Sequence, residues 1–142
     1  MDRPGIYSLT ENDGASDLAI AAADMAICDV VDDLDGLIAV SLQARFAYGS
    51  GGTKVTVYVQ TSLDQGASWI DIACVTFTTA SGNKALNLSG LTPKTTAATP
   101  TDGAMTDDTA LDGILGDRLR CKVVSTGTYA GSSSLAVRAA CR

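Results

Sequence analysis

The strictest pattern in the sequence is the alternation of apolar and polar residues in "TKVTVYVQTS", residues 53–62. Val55, Val57 and Val59 fall on one phase of this run, and the residues between them are polar or amphipathic. Because successive side chains of a β-strand point to opposite faces of a sheet, a period of two is typical of a strand with one buried face. The run therefore predicts a β-strand whose three valines face a core.

Other apolar runs extend this prediction to the rest of the chain. They occupy residues 37–48, 69–79, 83–91, 114–126 and 134–142. The chain is also rich in Gly and Thr and contains only 3 Pro, which is typical of all-β proteins. We therefore predict an all-β fold, an antiparallel β-sandwich or jelly roll of about six to eight strands.

The length of 142 residues and a hydrophobic content of 46% fit one domain with its own core. Residues 1–27 contain much Ala but no clear apolar stripe, so we expect an N-terminal arm with a short helix or strand. Residues 28–142 are predicted to form the single β-sandwich domain. Within it, the small and polar residues of 92–113 form a stretch too long for an ordinary connection, and we expect a projecting loop there.

The charge pattern argues against a nucleic-acid partner. The net charge is −6, and the ten basic residues are scattered along the chain instead of forming the cluster that binds phosphates. The sequence contains no His and a single Glu, Glu11, so it offers no Ser-His-Asp triad and no imidazole ligand. We expect no enzymatic activity, no catalytic residues and no cofactor.

Four aspartates, at positions 29, 32, 33 and 35, suggest a calcium loop at first sight. Against the EF-hand spacing, however, Val31 stands where the first carboxylate belongs, and Leu42 stands where the bidentate Glu belongs. The stretch is better interpreted as a polar turn, and we expect no metal site.

Four cysteines, Cys28, Cys74, Cys121 and Cys141, lie far apart and form no C-x-x-C pair. We predict buried free thiols, because reduced cysteine packs as a small hydrophobe. The N-terminal "MDRPGIYSLTEN" has no apolar signal region, and no apolar stretch reaches 18 residues. We therefore expect neither a signal peptide nor a membrane span.

The octapeptide "SLDQGASW", residues 62–69, fits S-x-D-x-G-x-x-W, which resembles the Asp-box of sialidases and other β-propellers. A propeller needs at least four blades, whereas a chain of this length holds three at most and has the motif once. We therefore predict a structural turn. Asp64 and Ser62 satisfy turn N–H groups, Gly66 adopts a positive φ, and Trp69 supplies an apolar side chain to the core.

Two longer blocks, "VYVQTSLDQGASWIDIACVTFTTASGNKALNLSGL" (57–91) and "TPTDGAMTDDTALDGILGDRLRCKV" (99–123), resemble small structural proteins from the morphogenesis modules of tailed bacteriophages. The resemblance spans about residues 37–142. It implies a virion component assembled in the bacterial host cytoplasm, most simply a capsid decoration (cement) protein. Such a protein binds the major capsid protein or other virion subunits, and we expect a homo-oligomer, with a trimer favoured.

Two alternatives remain open at the level of sequence. The first is a head–tail connector or tail subunit, which would form rings. The second is a carbohydrate- or receptor-binding β-sandwich module, for which Tyr129 in the "GTYAGSS" turn is the candidate residue for ligand stacking.

Overall fold

The computed structural model describes residues 4–12 and 14–142, and these residues form antiparallel strands and no helix. The fold is all-β and consistent with a β-sandwich, as the sequence predicts. The strands are β1 (Gly5–Ser8), β2 (Leu18–Ala19), β3 (Asp24–Ile27), β4 (Ala39–Ala47), β5 (Ser50–Gly51), β6 (Lys54–Ser62), β7 (Ile70–Phe77), β8 (Gly82–Ser89), β9 (Arg118–Thr126), β10 (Tyr129–Ala130) and β11 (Ser134–Cys141). No helix long and apolar enough to cross a membrane is found among the described residues.

Two larger sheets build the molecule. In sheet I the strand order is β1-β11-β4-β8, and β2 pairs with β11 beside β1. In sheet II the order is β3-β9-β6-β7. A small third sheet joins β5 to β10. The six strands of eight or nine residues overlap the six apolar runs predicted from the sequence, although β9 begins four residues after the start of the run 114–126.

The core lies between sheets I and II and is built from the inward phase of each long strand. In β4, buried and exposed residues alternate, and Val40, Leu42 and Phe46 point inward. In β6, Val55 and Val57 are completely buried. The alternation that predicted these strands therefore also identifies the face that each strand buries.

The N-terminal segment, which was expected to be an arm, adds strands to both sheets. Its first strand, β1, pairs with β11 at Gly5↔Cys141, and β3 pairs with β9 at Asp24↔Ser125. Residues 1–3 and 13 lie outside the described residues. This pairing gives hydrogen-bond partners to main-chain groups of β9 and β11 that would otherwise be unpaired at open sheet edges.

Residues 92–113, which we call the strap, run along the edge of β7 from 101 to 111, so this part of the predicted loop does not project. The Thr101 carbonyl accepts a hydrogen bond from the Asp71 N–H at 2.8 Å, and the Thr109 carbonyl accepts one from the Cys74 N–H at 2.9 Å. The Leu111 N–H donates to the Ile72 carbonyl at 2.8 Å. The strap thus supplies the partners that the main chain of an edge strand lacks.

Candidate functional site

The octapeptide 62–69 forms the turn between β6 and β7. The Asp64 carboxylate accepts hydrogen bonds from the Ser68 N–H at 2.7 Å and from the Ser62 hydroxyl at 2.9 Å, and the Gly66 N–H donates to Ser62 Oγ at 2.7 Å. The hydroxyl and N–H of Ser68 hold the pKa of Asp64 below its ordinary value. Gly66 has a φ of 90°, a conformation that favours glycine. These contacts give Ser62, Asp64 and Gly66 a structural role in the turn.

Trp69 follows the turn and is half-buried, whereas the sequence pattern placed it in the core. The Arg120 guanidinium lies 4.1 Å from the centroid of its ring. A cation over an aromatic face is attracted by the ring's quadrupole. Trp69 therefore packs against a charged side chain of β9 at the surface of sheet II.

Two buried polar residues lie on this same outer face of sheet II. Gln60 is completely buried, and Asp71 is 1% exposed. The Gln60 side-chain NH₂ donates to Asp71 Oδ1 at 2.8 Å and to Asp102 Oδ1 at 2.7 Å, while Gln60 Oε1 accepts from Arg120 Nε at 2.8 Å. The buried amide therefore has partners for its oxygen and its nitrogen, as buried polar groups in stable proteins do.

Asp71 fastens the strap to β7. Its carboxylate accepts hydrogen bonds from Thr101 Oγ1 at 2.7 Å, the Gly103 N–H at 2.8 Å and the Ala104 N–H at 3.0 Å. Burial alone raises the pKa of Asp71, but the hydrogen bonds from Gln60 and the strap outweigh it and hold the pKa below its ordinary value. Asp71 is therefore a charged group at neutral pH that anchors the strap.

Two further aspartates extend the attachment from the strap side. Asp108 accepts hydrogen bonds from the Thr76 N–H at 3.0 Å and from Lys84 Nζ at 3.0 Å. Asp112 accepts one from the Ser89 N–H at 2.6 Å, and this bond is the main cause of its lowered pKa. Because Thr76 belongs to sheet II and Ser89 to sheet I, the strap bridges both sheets.

The roles of Asp71 and Gln60 and the attachment of the strap were not predicted from the sequence. One signal was available, because a lone carboxylate within the apolar run "WIDIAC" is seldom buried without partners. The identity of those partners could not be deduced, since Thr101 lies 30 residues further along the chain.

The outer face of sheet I has no such cover among the described residues, and we call it the bare face. Its side chains are mostly small or uncharged, and its charged side chains are two arginines. The bare face comprises Ile6, Ser8, Ser41, Gln43, Arg45, Ala47, Asn83, Ala85, Asn87, Ser134, Ala136, Arg138 and Ala140. Two shallow depressions of about 630 Å³ each lie on it. Arg138 is paired with Asp17 at 2.9 Å.

The prediction that Tyr129 is available for ligand stacking is wrong, because its side chain is buried. The residue is only 2% exposed, and its hydroxyl donates to the Thr78 carbonyl at 2.7 Å. Its ring makes edge contacts with Phe46 and Tyr48, at centroid distances of 5.6 and 6.1 Å. The turn folds back over the end of the sandwich, so the ring has no free face for a ligand.

The remaining chemically reactive groups are buried or dispersed. All four cysteines are free and buried, as predicted. Burial, together with the charge of Asp29, raises the pKa of Cys28 to about 11, and burial raises the pKa of Cys74 to about 11. Within residues 4–12 and 14–142, no three Cys, Asp or Glu side chains are grouped so that they could hold a metal ion.

Comparisons with known proteins assign no family. No protein-family model matches the chain, and neither curated proteins nor solved structures provide a match. The structure defines an all-β chain with antiparallel sheets, in which a strap covers part of one outer face and the other outer face is bare.

Proposed function

We propose that the chain is a non-enzymatic structural protein of tailed-bacteriophage virions and that it decorates the outside of the head. In this role it binds the major capsid protein and stabilises adjacent capsid subunits. The resemblance of residues 57–91 and 99–123 to phage morphogenesis proteins supports the proposal. The all-β, sandwich-type fold agrees with the fold which that resemblance implies.

The observation that carries the proposal is the contrast between the two outer faces. The strap covers the β7 side of sheet II through bonds with Asp71 and Asp108, and Asp112 fastens it to Ser89 of sheet I. The bare face of sheet I presents mostly small side chains, so another protein can approach its backbone closely. Small side chains also lose little conformational entropy when they are covered. The bare face is therefore the surface that we assign to capsid binding.

Co-sedimentation with purified heads tests this assignment, using heads of the encoding phage from a strain that lacks the protein. We expect saturable binding by the wild-type protein and loss of binding by Ala136→Trp, which places a large ring at the centre of the bare face. Ala104→Trp is the matched control, because Ala104 is an exposed strap residue on the opposite side. Both variants should melt close to the wild-type temperature.

Three results would contradict the proposal. Failure of the wild-type protein to sediment with heads would exclude decoration. Binding to isolated tails or to the neck instead would favour the connector or tail alternative. Loss of binding in Ala104→Trp but not in Ala136→Trp would move the contact to the strap side. For the carbohydrate-binding alternative, burial of Tyr129 removes the residue on which it depended.

A further inference from the structure

β8 forms an edge of sheet I, and its register shows which main-chain groups face outward. The Gly90 N–H donates to the Ile38 carbonyl at 2.7 Å, in register with the pair Leu42↔Leu86. Because hydrogen-bonded and non-bonded pairs alternate along an antiparallel ladder, the even-numbered residues of β8 bond to β4. The main-chain groups of the odd-numbered residues point away from the sheet, as the bond from the Ser89 N–H to Asp112 shows.

Three residues of β8 therefore present open main-chain groups. The N–H and C=O groups of Asn83, Ala85 and Asn87 have no main-chain partner among the described residues, and all three residues are exposed. The strap covers the edge of β7 but leaves this part of β8 uncovered. An exposed edge of this length is a template for pairing with another strand.

We propose that β8 pairs antiparallel with β8 of a second copy of this chain, about a two-fold axis centred on Ala85. In this arrangement Ala85 lies opposite Ala85 of the second copy, and Asn83 lies opposite Asn87. All outward N–H and C=O groups of the three residues become paired. The contact is isologous, because the same strand is used by both copies.

The sequence of β8 selects this register over its neighbours. With Ala85 on the axis, Lys84 lies opposite Leu86 of the second copy, so no like charges face each other. A shift of one residue in the position of the axis would place Lys84 opposite Lys84, which is unfavourable across a strand pair. A shift in the other direction would require the Ser89 N–H, which Asp112 already holds.

The pairing has a structural consequence for the bare face. Side chains of directly opposed residues in a sheet point to the same side, so the two bare faces join into one continuous surface. The inference goes beyond the proposed function and does not depend on it. A dimer that failed to bind heads would contradict decoration and leave this contact unaffected.

Light scattering coupled to size exclusion, at protein concentrations up to about 1 mM to detect weak pairing, tests the proposal. We expect the wild-type protein to reach twice the 14.5 kDa mass of one chain. Ala85→Pro should remain a monomer with an almost unchanged melting temperature. Proline removes an outward donor and obstructs strand addition, but breaks no bond to β4.

A matched pair at Leu86 separates pairing from folding. Leu86→Lys and Leu86→Glu alter the same half-buried position, but only the lysine variant opposes Lys84 of the second copy with a like charge. We expect Leu86→Lys to be monomeric at concentrations where Leu86→Glu is dimeric. A wild-type monomer at every concentration, a trimer, a dimer that survives Ala85→Pro, or equal behaviour of the two Leu86 variants would overturn the proposal.

Discussion

Replacing Asp71 with asparagine tests whether a buried carboxylate holds the strap against sheet II. The wild-type carboxylate accepts bonds from the Gly103 and Ala104 N–H groups and from the Thr101 hydroxyl, all in the strap, and from Gln60. An asparagine side chain is nearly isosteric but uncharged, and an NH₂ donor replaces one of the two carboxylate oxygens. That donor would face N–H groups that have no other acceptor in the described contacts.

The magnitude follows from the number of bonds lost. An asparagine keeps one acceptor oxygen, so about two of the four hydrogen bonds to the carboxylate are lost or become repulsive. Each bond to a charged acceptor contributes about 1.5 kcal/mol or more. We therefore expect Asp71→Asn to lower the free energy of unfolding by about 3 kcal/mol, which is a large fraction of the stability of a domain.

Urea unfolding with linear extrapolation measures this change, and the urea midpoint should fall with little change in slope. Asp102→Asn is the control, because Asp102 also bonds to Gln60 but its side chain is 53% exposed. Solvent screening should limit its effect to less than about 1 kcal/mol. The reasoning is refuted if Asp71→Asn costs no more than Asp102→Asn.

Three further predictions concern pH, a close backbone contact and the thiols. The folded pKa of Asp71 lies below its unfolded value of about 3.9, so the stabilisation by its carboxylate is present above that pH and is lost as pH falls through the folded pKa. The urea midpoint of Asp71→Asn should therefore fall less between pH 7 and pH 3 than that of the wild type. Parallel falls of the two midpoints would contradict this prediction. A Cβ on Gly116 would lie 1.7 Å from the Ser62 carbonyl oxygen, so Gly116→Ala should cost about 3 kcal/mol in the same assay. The control is Gly36→Ala, where φ is 78° but the added methyl meets open space, and it should lower the free energy of unfolding by about 1 kcal/mol. Equal costs for the two variants would contradict the clash with the Ser62 carbonyl. The four thiols should resist a thiol-specific reagent near neutral pH in the native protein and react fully in urea, whereas rapid native labelling would contradict their burial.

The long strands could be predicted because their signal is local. In β6, for example, each valine of the alternating run faces the core, and the predicted range 53–62 differs from Lys54–Ser62 by one residue. The short strands β1, β2 and β3 could not be predicted in the same way. They contain two to four residues each, and their pairing depends on the open edges of β9 and β11.

The candidate site was less predictable, because its contacts join distant parts of the chain. The turn at Asp64 was accessible to sequence reasoning, since its bonds span four residues or fewer. A polar stretch such as 92–113 has the composition of a projecting loop. Its attachment to β7 depends on hydrogen bonds to the buried Asp71, which lies far away in the sequence. Tyr129 was misplaced for a similar reason, because its contact with Phe46 connects a turn to a strand far away in the sequence.

A cryo-EM reconstruction of heads decorated with the purified protein would show which face of the chain meets the capsid. We expect the bare face of sheet I to lie against the capsid, with Arg45 and Ala136 at the contact. We also expect the strap to face outward, with Thr101–Ala104 still bound to Asp71. Density showing the strap against the shell, or no ordered density on the heads at saturating protein, would contradict the proposed function.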